Sequence, residues 1–180
     1  MEKRLIPISL PVTGNEEWLA LKEPLETGWL TAGPKVRAFE DAFAERHQVK
    51  YAVAVTSATT ALHLALIALN IKAGDQVIVP AFTWVSTAEV VCQLGASPVF
   101  ADVDKNFVLD INKLESKITS KTKVIMPVHL YGSAANLNAI KKIIKKNNIF
   151  LIDDCAQAHG TIDDSNTTYN KKIGSTADIS

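Results

Sequence analysis

Five short apolar runs recur along the chain, separated by stretches with helical spacing, and this alternation is what most limits the fold. The runs are residues 51–55 (YAVAV), 76–79 (QVIV), 98–101 (PVFA), 123–126 (KVIM) and 149–152 (IFLI). Each is too uniformly apolar for a strand with one wet face. Strands buried on both faces read this way, and they belong to sheets covered by helices on either side. Residues 59–69, 85–94, 111–118 and 137–146 carry helical patterns, with Ala73-Gly74-Asp75, Gly95 and Asn147-Asn148 as turn signals. Strand and helix alternating at this spacing predict an α/β fold with a mostly parallel, doubly wound sheet. Ahead of the first run, residues 16–26 and 35–47 predict two helices, separated by a segment from Gly28 to Pro34 whose glycines and proline interrupt any continuous helix. The chain is thereby divided into an N-terminal helical arm, residues 1–48, packed outside the sheet, and an α/β domain over residues 49–180.

Charge and composition remove several function classes. Lys plus Arg number 19 and Asp plus Glu 19, so there is no net positive field to draw a phosphate backbone, and no basic stripe interleaved with aromatics. Nucleic acid is not an expected partner. The apolar runs fall far short of the roughly 20 residues of a bilayer-spanning helix, and the opening MEKRLIPISLP lacks the apolar stretch of a secretory signal, so neither membrane nor secretion is expected and the cytoplasm is the default. Cys92 and Cys155 form neither a CxxC pair nor a zinc-ligand spacing, and are expected to be two isolated buried thiols.

In an open α/β sheet ligands gather beyond the carboxyl ends of the strands. After residues 51–55 comes Thr56-Ser57-Ala58-Thr59-Thr60, leading straight into an apolar helix. Free amides, hydroxyls and the positive end of a helix dipole there suit a phosphate, although plain N-capping explains the same letters. Neither GxGxxG nor a Walker pattern occurs, so no dinucleotide or triphosphate site is indicated. After residues 76–79 come Phe82 and Trp84, whose rings could stack on a flat ligand, while packing between sheet and helix is the plainer expectation. After residues 149–152 come Asp153 and Asp154, two adjacent carboxylates ending an apolar strand. A buried carboxylate needs a cation or strong donors, and a strand end facing the ligand crevice is a functional position. His129, Asp153, Asp154 and His159 have no spacing that fixes a metal geometry, so no metal is expected. His47 and His63 need no catalytic role, and Lys141, Lys142, Lys145 and Lys146 are the wet face of an amphipathic helix.

Taken together, TSATTALHLAL, GDQVIVPAFTWVSTAEVV, GASPVFADVD, KTKVIMPVHLYG and LIDDCAQAHG resemble, in order and spacing, the DegT/DnrJ/EryC1/StrS sugar aminotransferase family, from about Pro7 to Ser180. The resemblance implies the large domain of a fold-type I pyridoxal phosphate-dependent transferase, truncated. It also implies transfer of an amino group from glutamate to a keto group on a nucleotide-linked hexose, in a homodimer whose second subunit completes each site. It puts the cofactor phosphate at Ala58 and Thr59, Trp84 against the pyridine ring, Asp154 on the ring nitrogen and Gln157 on the phenolic oxygen. Ala58 stands where the family more often has Gly, and its methyl narrows the approach of backbone to phosphate. Asp153 stands where many members have Glu, and His159 has no assigned role. Trp29 is expected to be a packing anchor rather than a substrate contact. The lysine that holds the cofactor as a Schiff base is expected within about ten residues beyond Ser180. The chain is accordingly expected to be an N-terminal fragment, without the small C-terminal domain, inactive by itself and poorly soluble through an unpaired sheet edge. The same resemblance also covers sugar dehydratases, in which histidine replaces that lysine, and a non-catalytic relative that keeps the cofactor pocket.

Overall fold

The computed structural model describes residues 6–7, 10–163 and 171–180. The chain gathers into two compact units, Met1–Phe39 and Glu40–Ser180, and the boundary falls inside the second helix. In the first unit, α1 spans Asn15–Thr27 and α2 begins at Pro34, running to His47 in the second unit. The Glu17 carboxylate accepts the Gly14 N–H at 2.6 Å and holds the start of α1, and Gly28 ends it at a φ of 71°, where a side chain would be strained. Trp29 lies over Gly33, where a Cβ would run into the indole ring, and Nε1 of that ring donates to the Ala32 carbonyl. Trp29 makes these local contacts while remaining 57% exposed.

The second unit is built on a four-stranded, all-parallel sheet. Its elements are α3 (Ala58–Ala68), β1 (Gln76–Pro80), α4 (Ser86–Gln93), β2 (Ser97–Ala101), α5 (Ile111–Leu114), β3 (Thr122–Ile125), α6 (Leu137–Asn147) and β4 (Phe150–Leu151). Strand order is β2-β1-β3-β4, so the chain steps outward from β1 to β2 and then returns to the other side of β1 for β3. That reversal is a topological switch point, where crevices form at the carboxyl edge of such sheets. Alternation along each strand sorts the core into two layers. Val77, Val79, Val124, Met126 and Ile152 pack with Leu62, Ala65, Leu66, Val90 and Val91, which covers one face with α3 and α4. Ile78, Ile125 and Leu151 pack with Leu109, Leu114, Leu137 and Ile140, which covers the other with α5 and α6. The inner strands β1 and β3 are covered on both faces and read as nearly unbroken apolar runs, while Phe100 of β2 and Phe150 of β4 are half-exposed at the sheet edges. A short antiparallel pair, β5 (Ile162–Asp163) and β6 (Lys171–Lys172), had no signal in the apolar pattern.

Three expectations are corrected. Residues 51–55 form no strand among the described residues, and Tyr51 and Val53 are 73% and 76% exposed. β1 is already flanked by β2 and β3, and Ile152, just past β4, is bridged to Ile179, so no inner lane of the sheet takes them. Their one described polar tie is the Ala54 N–H to Oε1 of Glu40 at 2.9 Å. The helix expected over residues 111–118 stops after Leu114 and continues as a 3₁₀ turn, Glu115–Lys117, where the Ser116 hydroxyl donates to the Lys113 carbonyl. Cys92 is exposed on the outer side of α4, where Val90 and Val91 take the inward positions, and Cys155 is half-buried.

Candidate functional site

Beyond β4 the strand alternation continues through two carboxylates. Leu151 faces the α5/α6 layer and Ile152 the α3/α4 layer, so Asp153 and Asp154, 1% and 7% exposed, leave the strand end in opposite directions. The backbone of Asp154 is locked to the segment after β3: its N–H donates to Pro127 O and its carbonyl accepts the His129 N–H, both at 3.0 Å. Its carboxylate is held from two sides. Oδ1 accepts the Ala156 N–H at 3.1 Å, and Oδ2 accepts the Thr87 hydroxyl of α4 at 3.3 Å.

Thr87 connects this acid to Trp84. The Thr87 N–H donates to the Trp84 carbonyl at 3.2 Å, so both belong to the opening turn of α4 at the carboxyl end of β1. Trp84 is 72% exposed and Phe82 48%. Neither ring packs between sheet and helix, which corrects the plainer expectation and leaves the Trp84 face open to a flat ligand. Gln157 stands exposed on the turn after Asp154, with Oε1 accepting the Tyr131 N–H at 2.9 Å. Its oxygen being engaged, it offers its NH₂ group as a donor. Tyr131 presents that N–H from the left-handed region, at a φ of 56°, unusual for a bulky residue.

Ala58 and Thr59 open α3. The helix is capped by Ser57, whose Oγ accepts the Thr60 N–H at 3.1 Å and whose carbonyl accepts the Ala61 N–H at 3.0 Å. Thr56, Ser57 and Thr60 share their hydroxyls among themselves at 3.1–3.2 Å. The amides of Ala58 and Thr59 and the Thr59 hydroxyl have no acceptor among the described residues. α3 runs back toward the start of β1 against the same sheet face as α4, so the two helix starts lie at one edge, the carboxyl edge of β1. No hydrogen bond among the described residues joins Ala58 or Thr59 to Trp84, Asp154 or Gln157. The edge thus offers free N–H and O–H donors for a phosphate, an exposed ring for stacking, an anchored carboxylate for a protonated ring nitrogen and an amide donor for a phenolic oxygen. That donor set fits the cofactor which the family resemblance implies.

Asp153 occupies different surroundings. His129, fully buried, accepts the Ala135 N–H on Nδ1 at 3.0 Å, so its neutral ring carries its proton on Nε2, which points to Oδ1 of Asp153 at 3.8 Å. Both oxygens of Asp153 and Nε2 of His129 lack a hydrogen-bond partner among the described residues. The candidate ligand atoms of His129, Asp153 and Cys155 lie within 4.8 Å of one another. A metal would need the Nε2 lone pair, which the Ala135 bond denies, and a thiolate. Burial first, then Asp153 and Asp154, pushes the Cys155 thiol far above its ordinary range. The trio does not suit a cation. His159 turns away to set its ring edge-on to Phe43 at 5.6 Å.

Sequence reasoning missed Thr87 and Tyr131. Thr87 had a readable signal, a hydroxyl on the sheet-facing side of an apolar helix, three residues after an aromatic at a strand end.

Comparison with known proteins adds kinship to this geometry. Residues 11–180 match the model of the DegT/DnrJ/EryC1/StrS aminotransferase family. Among solved structures, the chain is similar to DesV of S. venezuelae, with 34% identity, a TM-score of 0.82, and 89% of this chain covering 42% of that one. Spr1654 of Streptococcus pneumoniae, named as a sugar aminotransferase and solved in a PLP form, gives 33% identity and a TM-score of 0.88, with 96% of this chain on 47% of that one. A 3-amino-5-hydroxybenzoic acid synthase gives 40% identity and a TM-score of 0.80, with 84% of this chain on 40% of that one. The chain spans less than half the length of each of these relatives.

Proposed function

The chain belongs to the DegT/DnrJ/EryC1/StrS aminotransferase family, and from that premise we propose that it is the cofactor-binding part of an enzyme that moves an amino group from glutamate to a nucleotide-linked keto-hexose. Proteins of this family depend on pyridoxal phosphate. When bound, this cofactor supplies an electron sink for the carbanion that forms beside the transferred nitrogen. In this reading residues 49–180 hold the cofactor, residues 1–48 form a helical arm, and a second copy of the chain completes each site.

The observation that carries the reading is the Asp154 carboxylate, buried and anchored by Ala156 and by Thr87, whose own N–H donates to the carbonyl of the exposed Trp84. Asp154 accepts the ring N–H and holds the proton on that nitrogen. Trp84 covers one ring face and excludes water from it. Gln157, its oxygen held by Tyr131, donates its NH₂ to the phenolic oxygen. The free amides of Ala58 and Thr59 and the Thr59 hydroxyl bind the phosphate, helped by the dipole of α3.

Intact mass of the natural gene product, before and after borohydride reduction, tests the activity class. A pyridoxyl group retained through denaturation after reduction, together with glutamate-dependent bleaching of the bound cofactor, is the expected result. Release of the cofactor on denaturation after reduction, with no mass added to the chain, would instead indicate the dehydratase class and overturn transamination.

A further inference from the structure

We propose that Thr87 is a positioning residue for the cofactor-binding carboxylate, its hydroxyl fixing the plane of Asp154 so that a lone pair faces the protonated ring nitrogen. The inference rests on the reading of Asp154 given above. Thr87 is fully buried in α4 on the side that meets the sheet. Its Oγ1 lies 3.3 Å from Asp154 Oδ2 and 3.4 Å from the Thr83 hydroxyl, so it can donate to the acid while accepting from Thr83. A carboxylate bonded only to Ala156, two residues on, would remain free to swing about its terminal torsion. A second donor, from a different element, stops that rotation. The choice of residue supports the role. Threonine and valine have nearly the same shape, and Thr87 shares the buried side of α4 with Val90 and Val91. Placing a hydroxyl there is costly unless it is used, and its use is the bond to Asp154. Because the Thr87 N–H also holds the Trp84 carbonyl, one turn sets both the ring that stacks and the acid that meets the ring nitrogen.

The test compares Thr87→Val, which keeps the shape and removes the donor, with Thr87→Ser, which keeps the donor. Dissociation of pyridoxal phosphate from the natural gene product is measured by equilibrium dialysis, with apoprotein melting alongside. Thr87→Val is expected to weaken cofactor binding about tenfold or more, the size of one hydrogen bond to a charged group. It should also alter the pH dependence of the bound cofactor's absorption, whereas Thr87→Ser stays near the parent on both. Introducing Thr87→Val on top of Asp154→Asn should add nothing to the loss of cofactor binding, because the carboxylate whose plane Thr87 fixes is gone. An additive loss would mean that Thr87 only packs, and overturns the proposal. If Asp154→Asn weakens binding and Thr87→Val does not, the role of Thr87 falls and that of Asp154 stands. If Asp154→Asn leaves binding intact, both fall. Should Thr87→Val not fold, Thr87→Ala makes the same comparison with more room.

Discussion

Asp153 and Asp154 are neighbours in sequence, identical in chemistry and nearly equal in burial, yet they end in opposite situations. Asp154 emerges on the α3/α4 side, where a backbone amide and a helix hydroxyl each take one oxygen. Asp153 emerges on the α5/α6 side, where neither oxygen has a hydrogen-bond partner among the described residues and its neighbour His129 stands 3.8 Å away. One acid is hydrogen-bonded on both oxygens; the other is closed in against a histidine. The period-two geometry of a strand, carried one step past its end, divides them. Two adjacent identical letters need not share a role, and the neighbouring helix decides which of them is prepared for chemistry.

The largest effect should follow from breaking the prepared side. Asp154→Asn in the natural holoenzyme is expected to lower turnover by about three orders of magnitude, roughly 4 kcal/mol of transition-state stabilisation, because a neutral amide cannot hold the ring nitrogen's proton. Folding should survive, since the Asn oxygen still accepts from Ala156 and its NH₂ can donate to Thr87. Steady-state kinetics and urea unfolding on one preparation separate these consequences. A variant within tenfold of the parent's turnover would remove Asp154 from the site.

On the closed side the expected cost is to stability instead. His129→Ala leaves the Ala135 N–H without its acceptor, opens a cavity and strands Asp153 further, for about 2–4 kcal/mol by urea denaturation. Asp153→Asn keeps the shape of a buried carboxyl group that has no hydrogen-bonded partner among the described residues, and should change stability by no more than about 1 kcal/mol. Cofactor affinity should stay at the parent's value for Asp153→Asn. An Asp153→Asn protein that folds well but loses cofactor would show the two acids acting together and dissolve the contrast.

Much of this arrangement was legible in the letters, and the limits were physical. The runs QVIV, PVFA, KVIM and IFLI each contain or overlap a parallel strand, and the inner two, β1 and β3, lie between covered faces where few polar residues are needed. YAVAV has the same local preference, yet extended conformation is a property of a segment, whereas a strand needs a partner that periodicity does not supply. Asp154 and Trp84 drew notice because strand ends in such sheets face the crevice, whereas Gln157 was singled out by the family resemblance alone. That Asp154 and Asp153 part company was implicit in the alternation, but the Thr87 hydroxyl and the His129 ring arrive from residues 67 and 24 positions earlier, distances that no local pattern spans.

Trp84 sharpens the contrast by a smaller amount. Its ring is 72% exposed, so Trp84→Ala should cost less than about 0.5 kcal/mol of stability. Loss of its stacking face should weaken cofactor binding by up to about tenfold. Fluorescence titration of the apoprotein with pyridoxal phosphate gives the second quantity and thermal melting the first. A large stability loss with unchanged affinity would make Trp84 a core residue after all.

His47 offers the mildest comparison, a buried polar side chain that is neither a prepared acid nor an unpaired one. It ends α2, stacks on Phe43 at 4.5 Å, and its Nδ1 lies 3.3 Å from the Ile173 carbonyl, to which the ring N–H donates. Burial lowers its pKa below 6.5, the neighbouring charges of His159, Lys172 and Arg46 act in the same direction, and the bond to Ile173 partly opposes them. The folded protein therefore takes up this proton less readily than the unfolded chain does. Its contribution to stability is complete above the unfolded value and is lost as pH falls through the lowered folded value. His47→Gln keeps an N–H for Ile173 but cannot titrate. Between about pH 7 and pH 5 the parent should lose more melting temperature than the variant, by a small margin because the Ile173 bond offsets part of the burial effect. Parallel melting curves across that range would mean that His47 carries no net proton linkage, leaving the acid response to carboxylates elsewhere.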